Sequence, residues 1–140
     1  MKSFFQNEMT EIPAVPAGPE TAGFASLEKV NIISKDENSV SLEFSIPDTS
    51  PYFDGHFPEF PILPAVAQTE LAVRYASRYL GTGIDVSEIR RIKFTNMIRP
   101  STPLVIKLEK KEKIVSFRIF SPNGEIVYSI GTLEIREDSL

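Results

Sequence analysis

The chain has no cysteine, no tryptophan and one histidine. Without cysteine there is no disulfide scaffold, thiolate zinc site, iron–sulfur cluster or cysteine nucleophile. A single histidine excludes multi-histidine metal sites within one chain. Carboxylates are numerous, but no ligand-spaced acidic cluster stands out. Neither sign of charge dominates: 15 basic and 19 acidic side chains leave a formal charge of -4, a poor basis for general nucleic-acid binding. No apolar run approaches the ~20 residues of a membrane span. The start, Met1 to Glu8, turns polar too soon for a signal peptide. A soluble, cytoplasmic protein is the expectation.

Proline is plentiful, with 11 in 140 residues, and 41% of the chain is hydrophobic. That length and composition suit one domain with a real core. Residues 1–23 read as a proline-rich extension, because Pro13, Pro16 and Pro19 recur every third residue and favour extended chain. Residues 24–140 read as the folded domain. Leu27, Val30, Ile32 and Ile33 lie in one apolar-rich run. Val40, Leu42, Phe44 and Ile46 alternate with polar residues, a half-buried strand that Pro47 ends. Five prolines between Pro47 and Pro64 demand a loop, and Tyr52, Phe53, Phe57 and Phe60 suggest that it packs.

Pro64 is placed to open a helix, and Gly81 to close it. Between them, apolar residues cover most of the helical circumference, leaving Glu70, Arg74 and Arg78 as a narrow polar stripe. Such a helix is expected to be wrapped by other structure. Strands are predicted over Val86 to Ile98, Leu104 to Glu109, Ile114 to Phe120 and Ile126 to about Ile135, with a hairpin turn at Ser121-Pro122-Asn123-Gly124. About six strands grouped by hairpins around one long helix make an α+β fold with an antiparallel sheet.

Three features carry possible chemistry. His56 lies on the proline-braced loop, where it serves either packing or proton transfer near neutral pH. On wheel position Glu70 reads first as a surface carboxylate paired with Arg74 at i+4, and otherwise as a desolvated carboxyl able to donate a proton. Arg90, Arg91, Lys93 and Arg99 form either a solvated strand face or a docking surface for an acidic, phosphate-bearing partner.

The string Gly55-His56-Phe57-Pro58-Glu59-Phe60-Pro61-Ile62-Leu63-Pro64-Ala65-Val66, with Glu70 fourteen positions after the histidine, resembles the signature of the hot-dog-fold 3-hydroxyacyl-(acyl-carrier-protein) dehydratases. Ile92 to Pro100 looks like the strand and proline turn that follow the helix in that family. The segment Leu63 to Gln68, with glutamine two before the acid, looks more like the subgroup serving aryl-polyene and related lipid pathways.

The resemblance implies an antiparallel sheet wrapped around one central helix. It implies dehydration of a (3R)-hydroxyacyl thioester on acyl carrier protein, without metal or nucleotide cofactor. His56 takes the C2 proton, Glu70 handles the departing hydroxyl, and the N–H of Ala65 steadies the enolate-like oxygen. Phe57, Pro64, Ala65 and Val66 line the substrate. The site forms between two subunits of at least a homodimer, and Arg90, Arg91, Lys93 or Arg99 meets the carrier protein. Ala65 stands where the family usually has glycine. It keeps the N–H but adds a methyl group that narrows the pocket. A hot-dog acyl thioesterase, or a non-catalytic subunit of a dehydratase hetero-oligomer, remains an alternative reading.

Overall fold

A computed structural model describes residues 30–53 and 61–136. The expectations for the extension at 1–23, for Leu27, and for His56 and Phe57 fall outside these residues.

Six strands form one antiparallel sheet: β1 (Val30–Lys35), β2 (Ser39–Phe44), β3 (Val86–Phe94), β4 (Leu104–Lys111), β5 (Ile114–Phe120) and β6 (Val127–Ile135). Their order across the sheet is β1-β2-β4-β5-β6-β3, with β1 and β3 at the edges. Among the described residues one long helix, α1 (Ala65–Leu80), packs on β2 and β4. This is the expected α+β hot-dog arrangement.

The period-two alternation decides which side of each strand faces the helix. Leu42, Ile106 and Ile119 sit in register across β2, β4 and β5, and all three are fully buried. Leu71, Ala72 and Ala76 of α1 are buried in the same core. The ring of Tyr75 meets Phe44 edge to face at 5.4 Å. Gly131 on β6 is set by close approach. A Cβ built there would lie 2.6 Å from the Phe117 ring, so only glycine lets the ring slide beneath β6.

The turns follow from local chemistry. Between β1 and β2, one Asp36 carboxylate oxygen accepts from the N–H groups of Asn38 and Ser39, both at 2.9 Å. The Asn38 bond is the main cause that holds this carboxyl below the usual carboxylate range. Pro64 caps α1 in an extended conformation, without a side-chain hydrogen bond. Gly81 ends the helix at φ 75° and donates to Ser77 O at 3.2 Å, as a left-handed terminator does.

The structure corrects three sequence expectations. β3 ends at Phe94 and does not run on to Ile98. After Phe94, Thr95 Oγ1 and Asn96 Nδ2 both donate to Val127 O, at 2.6 and 2.8 Å. Side chains thus occupy the next ladder acceptor, and the chain leaves the sheet with Ile98 buried beyond it. β6 begins at Val127, one residue later than expected. Ile126 instead closes the turn, accepting from Ser121 N–H and donating to Ser121 Oγ. Finally, α1 is not wrapped on nearly all sides. Val66, in its first turn, is 73% exposed.

Candidate active site at the start of the helix

Two hydrogen bonds pin the approach to α1. Leu63 N–H donates to Ile98 O at 2.8 Å, and Gln68 Nε2 donates to Leu63 O at 3.3 Å. The peptide leading into Pro64 and Ala65 is therefore held on both sides, once from the loop after β3 and once from the helix. Pro64 O accepts from the N–H groups of Ala67 and Gln68, each at 3.1 Å. The N–H groups of Ala65 and Val66 precede the first intrahelical bond, at the positive end of the helix dipole.

This helix start opens onto a cavity of about 380 Å³, walled by Ile62, Leu63, Pro64, Ala65, Gln68 and the Phe94–Met97 stretch. The far wall is braced by the Thr95 and Asn96 bonds to Val127 O and by Thr95 N–H donating to Tyr128 O at 2.9 Å. The walls are apolar at Ile62, Phe94 and Met97. Gln68, Thr95 and Asn96 are its polar side chains; Gln68 is 3% exposed, and its Oε1 is buried without a hydrogen-bond partner. An orphaned acceptor of this kind costs about 1–3 kcal/mol.

The sequence-predicted residues divide between faces of the helix. Ala65 and Pro64 line the cavity; Val66 and Glu70 do not. At about 100° per residue, Gln68 and Glu70 point to opposite sides of α1, whereas Val66 and Glu70, four apart, share a face. Glu70 has a side chain 32% exposed and pairs with Arg74 Nε at 3.5 Å, so the i,i+4 pair expected from the sequence is present. His56 and Phe57 lie outside the described residues.

Tyr52 is a site neighbour that sequence reasoning placed only among packing aromatics. Its hydroxyl is buried and accepts or donates no hydrogen bond. Burial pushes the phenol well above its ordinary value, the nearby Glu70 carboxylate adds to this, and Arg74 opposes it. Tyr52 thus belongs to the Glu70–Arg74 side of the helix. No local sequence pattern signals that proximity. Gln68 did carry a signal: it sits three residues from both Ala65 and Leu71, on a stripe that is otherwise apolar.

The four basic residues have different surroundings. Arg90 is engaged by Glu88 at 3.3 Å and by Glu134 at 2.7 Å, and Glu134 also meets Lys113 at 3.2 Å. Arg91 adopts φ 52° at the irregularity between Arg90 and Lys93. Lys93 lies opposite Ile130, which in turn lies opposite Arg118, and Arg118 opposite Lys107. Lys93 therefore belongs to a row across the sheet whose other cations were not singled out from the sequence. Arg99 is exposed in the loop beyond. Among the described residues, no group of histidine, cysteine and carboxylate side chains could hold a metal ion, and no helix is long and apolar enough to cross a membrane.

Residues 32–131 match the family model ApeI-like, described as ApeI dehydratase. The chain belongs to this family. The dehydratase heterocomplex ApeI:P from Xenorhabdus doucetiae superposes with a TM-score of 0.65 at 26% identity, over 78% of this chain and 100% of that one. The 3-hydroxyacyl-(acyl-carrier-protein) dehydratase FabZ of Chlamydia muridarum (strain MoPn / Nigg) is 26% identical over 100 residues, 65% of each chain. FabZ of Clostridium perfringens (strain SM101 / Type A) is 25% identical over 143 residues, 89% of this chain and 97% of that one. The chain thus spans 65% of the length of the Chlamydia relative. A hypothetical thioesterase from Streptococcus pneumoniae, solved with coenzyme A, shares the fold with a TM-score of 0.58 at 11% identity. Within the ApeI-like family frame, the cavity at Ala65 and the carboxylate at Glu70 are the two described parts of the candidate site.

Proposed function

We propose that this ApeI-like protein dehydrates (3R)-hydroxyacyl thioesters carried on acyl carrier protein, yielding trans-2-enoyl thioesters for fatty-acid or polyene-type lipid synthesis. The observation that carries this reading is the helix start at Ala65, opening into an apolar-walled cavity of about 380 Å³. Charge that develops on a thioester oxygen is best met by preorganised backbone N–H groups at a helix N-terminus, inside a site with few waters.

In the proposed reaction the thioester oxygen faces the N–H of Ala65. His56 removes a proton from C2, and that C–H electron pair becomes the C2–C3 double bond as the C3–O bond breaks. The hydroxyl leaves as water with a proton supplied through Glu70. Charge balances without a redox partner. Phe57 and Pro64 bound the acyl chain, joined by Val66 of the second copy that brings Glu70.

A second copy of the chain completes the site. Glu70 faces away from the cavity of its own protomer, and the exposed Val66 lies beside it. A homodimer that brings one protomer's Glu70 to its partner's cavity reconciles the two. Carrier-protein docking falls to Arg91, Lys93 and Arg99, with Arg90 already partly spent on Glu88 and Glu134. The heterocomplex source of the X. doucetiae relative, together with Ala65 in the usual glycine position, favours one second reading, a subunit that works only beside a different hot-dog partner.

The test is mass spectrometry of 3-hydroxyacyl-carrier-protein substrates of several chain types with wild type, His56→Ala and Glu70→Gln. Loss of water with wild type alone is the expected result. Intact substrate in all three samples removes homomeric catalysis and leaves the partner-subunit reading. Free acid in place of the enoyl product would make the protein a thioesterase.

A further inference from the structure

The cavity holds a polar group that the proposed reaction does not use. Gln68 projects from the first turn of α1 with its two amide ends in different circumstances. Its Nε2 is committed to Leu63 O at 3.3 Å, and that bond fixes the assignment of the carboxamide, because only the N–H end can serve a carbonyl. Its Oε1 is therefore held on the other side, buried and unbonded. In a core this position asks for an aliphatic side chain of the same volume, which would carry no such cost. The cost is recovered only if a donor reaches the oxygen when the cavity is filled. The oxygen is buried, so a donor carried in by a ligand reaches it with a slight turn of the side chain.

Resting on the dehydratase reading above, we propose that Gln68 is a specificity residue whose carboxamide oxygen accepts a hydrogen bond from a hydroxyl close to the carbonyl of the bound acyl group. The site thereby selects 3-hydroxyacyl chains over chains without the hydroxyl. Three features of the cavity agree with such a ligand. The helix start at Ala65 offers N–H donors to a carbonyl oxygen. Gln68, one turn further along the same face, offers the complementary acceptor. Ile62, Phe94 and Met97 offer apolar wall to the rest of the chain. A ligand with a carbonyl and a nearby hydroxyl satisfies both polar elements at once; a saturated or enoyl thioester satisfies only the first. The consequence is easier release of the dehydrated product, because the donor that holds the substrate leaves as water.

The experiment compares two unreactive ligands, 3-hydroxybutyryl-pantetheine and butyryl-pantetheine with the thioester sulfur replaced by CH₂. Both carry the same pantetheine amides, so only the hydroxyl differs. Binding to the full chain is measured by calorimetry for wild type, Gln68→Met and Gln68→Leu, alongside turnover of a 3-hydroxyacyl substrate. Wild type is expected to prefer the hydroxy ligand on the order of tenfold, the worth of one hydrogen bond to a formerly orphaned acceptor. Both variants are expected to lose most of that preference, keeping only what Glu70 supplies to the same hydroxyl. Losing the clamp on Leu63 weakens both ligands together and leaves their ratio untouched, so the ratio separates the two roles of the side chain. Equal affinities in wild type, or a preference undiminished in both variants, overturns the assignment of Gln68. If wild type also turns over the substrate, the dehydratase reading survives that result; if it neither binds the ligands nor turns over the substrate, both fall.

Discussion

Strands β4 and β3 belong to the same antiparallel sheet and contrast sharply. β4 is central, keeps unbroken register with both neighbours, and buries Leu104, Ile106 and Leu108. β3 is an edge strand with two register shifts against β6, and most of its residues are exposed, Ile89 by 49%. The core strand is built for stability, where each inward side chain is buried in the core that α1 shares. The edge strand gives up regular pairing at Arg90–Lys93 and again after Phe94, and the chain released there forms the far wall of the cavity. The candidate site lies where the ladder stops, because there side chains and backbone are freed from pairing and can turn towards a ligand.

The largest effect expected from this contrast concerns the two sides of the helix. Glu70→Gln and His56→Ala should each lower dehydration by about 10²–10⁴-fold, with melting temperature unchanged. Mixed together under subunit exchange, the two inactive variants should recover about a quarter of wild-type activity, since each mixed dimer of a symmetric pair keeps one intact site. Absence of any recovery would mean that both groups act within one protomer.

Next in size is the core against the edge. Ile106→Ala should cost about 3 kcal/mol by thermal or urea unfolding, because a fully buried methylene cluster is removed from below the helix. Ile89→Ala, on the exposed edge, should change stability by about 0.5 kcal/mol or less. Comparable losses at the two positions would show that the edge is covered in the protein as it exists in solution. Between them lies Gly131→Ala, whose added methyl collides with the Phe117 ring; a loss of about 1–3 kcal/mol is expected.

The smallest effect is on alkaline stability. The Tyr52 phenol is raised above its ordinary value, chiefly by burial and then by Glu70, and Tyr75 is raised by burial as well. A raised phenol keeps its proton in the folded state after the unfolded chain has lost it. Its contribution is therefore complete below the unfolded value of about 10 and declines as pH climbs through the folded one. Tyr52→Phe should leave stability near pH 7 equal or slightly higher, since an unpartnered hydroxyl is removed. Above about pH 10 its unfolding free energy should fall less steeply than that of wild type. Parallel pH curves would place Tyr52 in contact with water.

Much of this molecule was legible in its residues. The alternation from Val40 to Ile46 and from Leu104 to Leu108 reports which face of each strand is buried, because the period of a strand leaves no other choice. Pro64 and Gly81 bracket the helix, because one suits a helix start and the other readily takes the left-handed turn after its end. The spacing of His56 and Glu70 points to the family without any structure. The sequence by itself therefore determined the elements, their order and the family.

The tertiary structure alone decided the rest. It placed Gln68 inside and left Val66 outside, the opposite of what the polarity of the two side chains suggests. It set Tyr52 beside Glu70 across a stretch of chain with no periodic pattern. It ended β3 at Phe94 by offering Val127 O to the side chains of Thr95 and Asn96. The physical reason is common to all three. Burial and hydrogen-bond partners at these positions come from residues distant along the chain, and no local propensity encodes which distant group will arrive first.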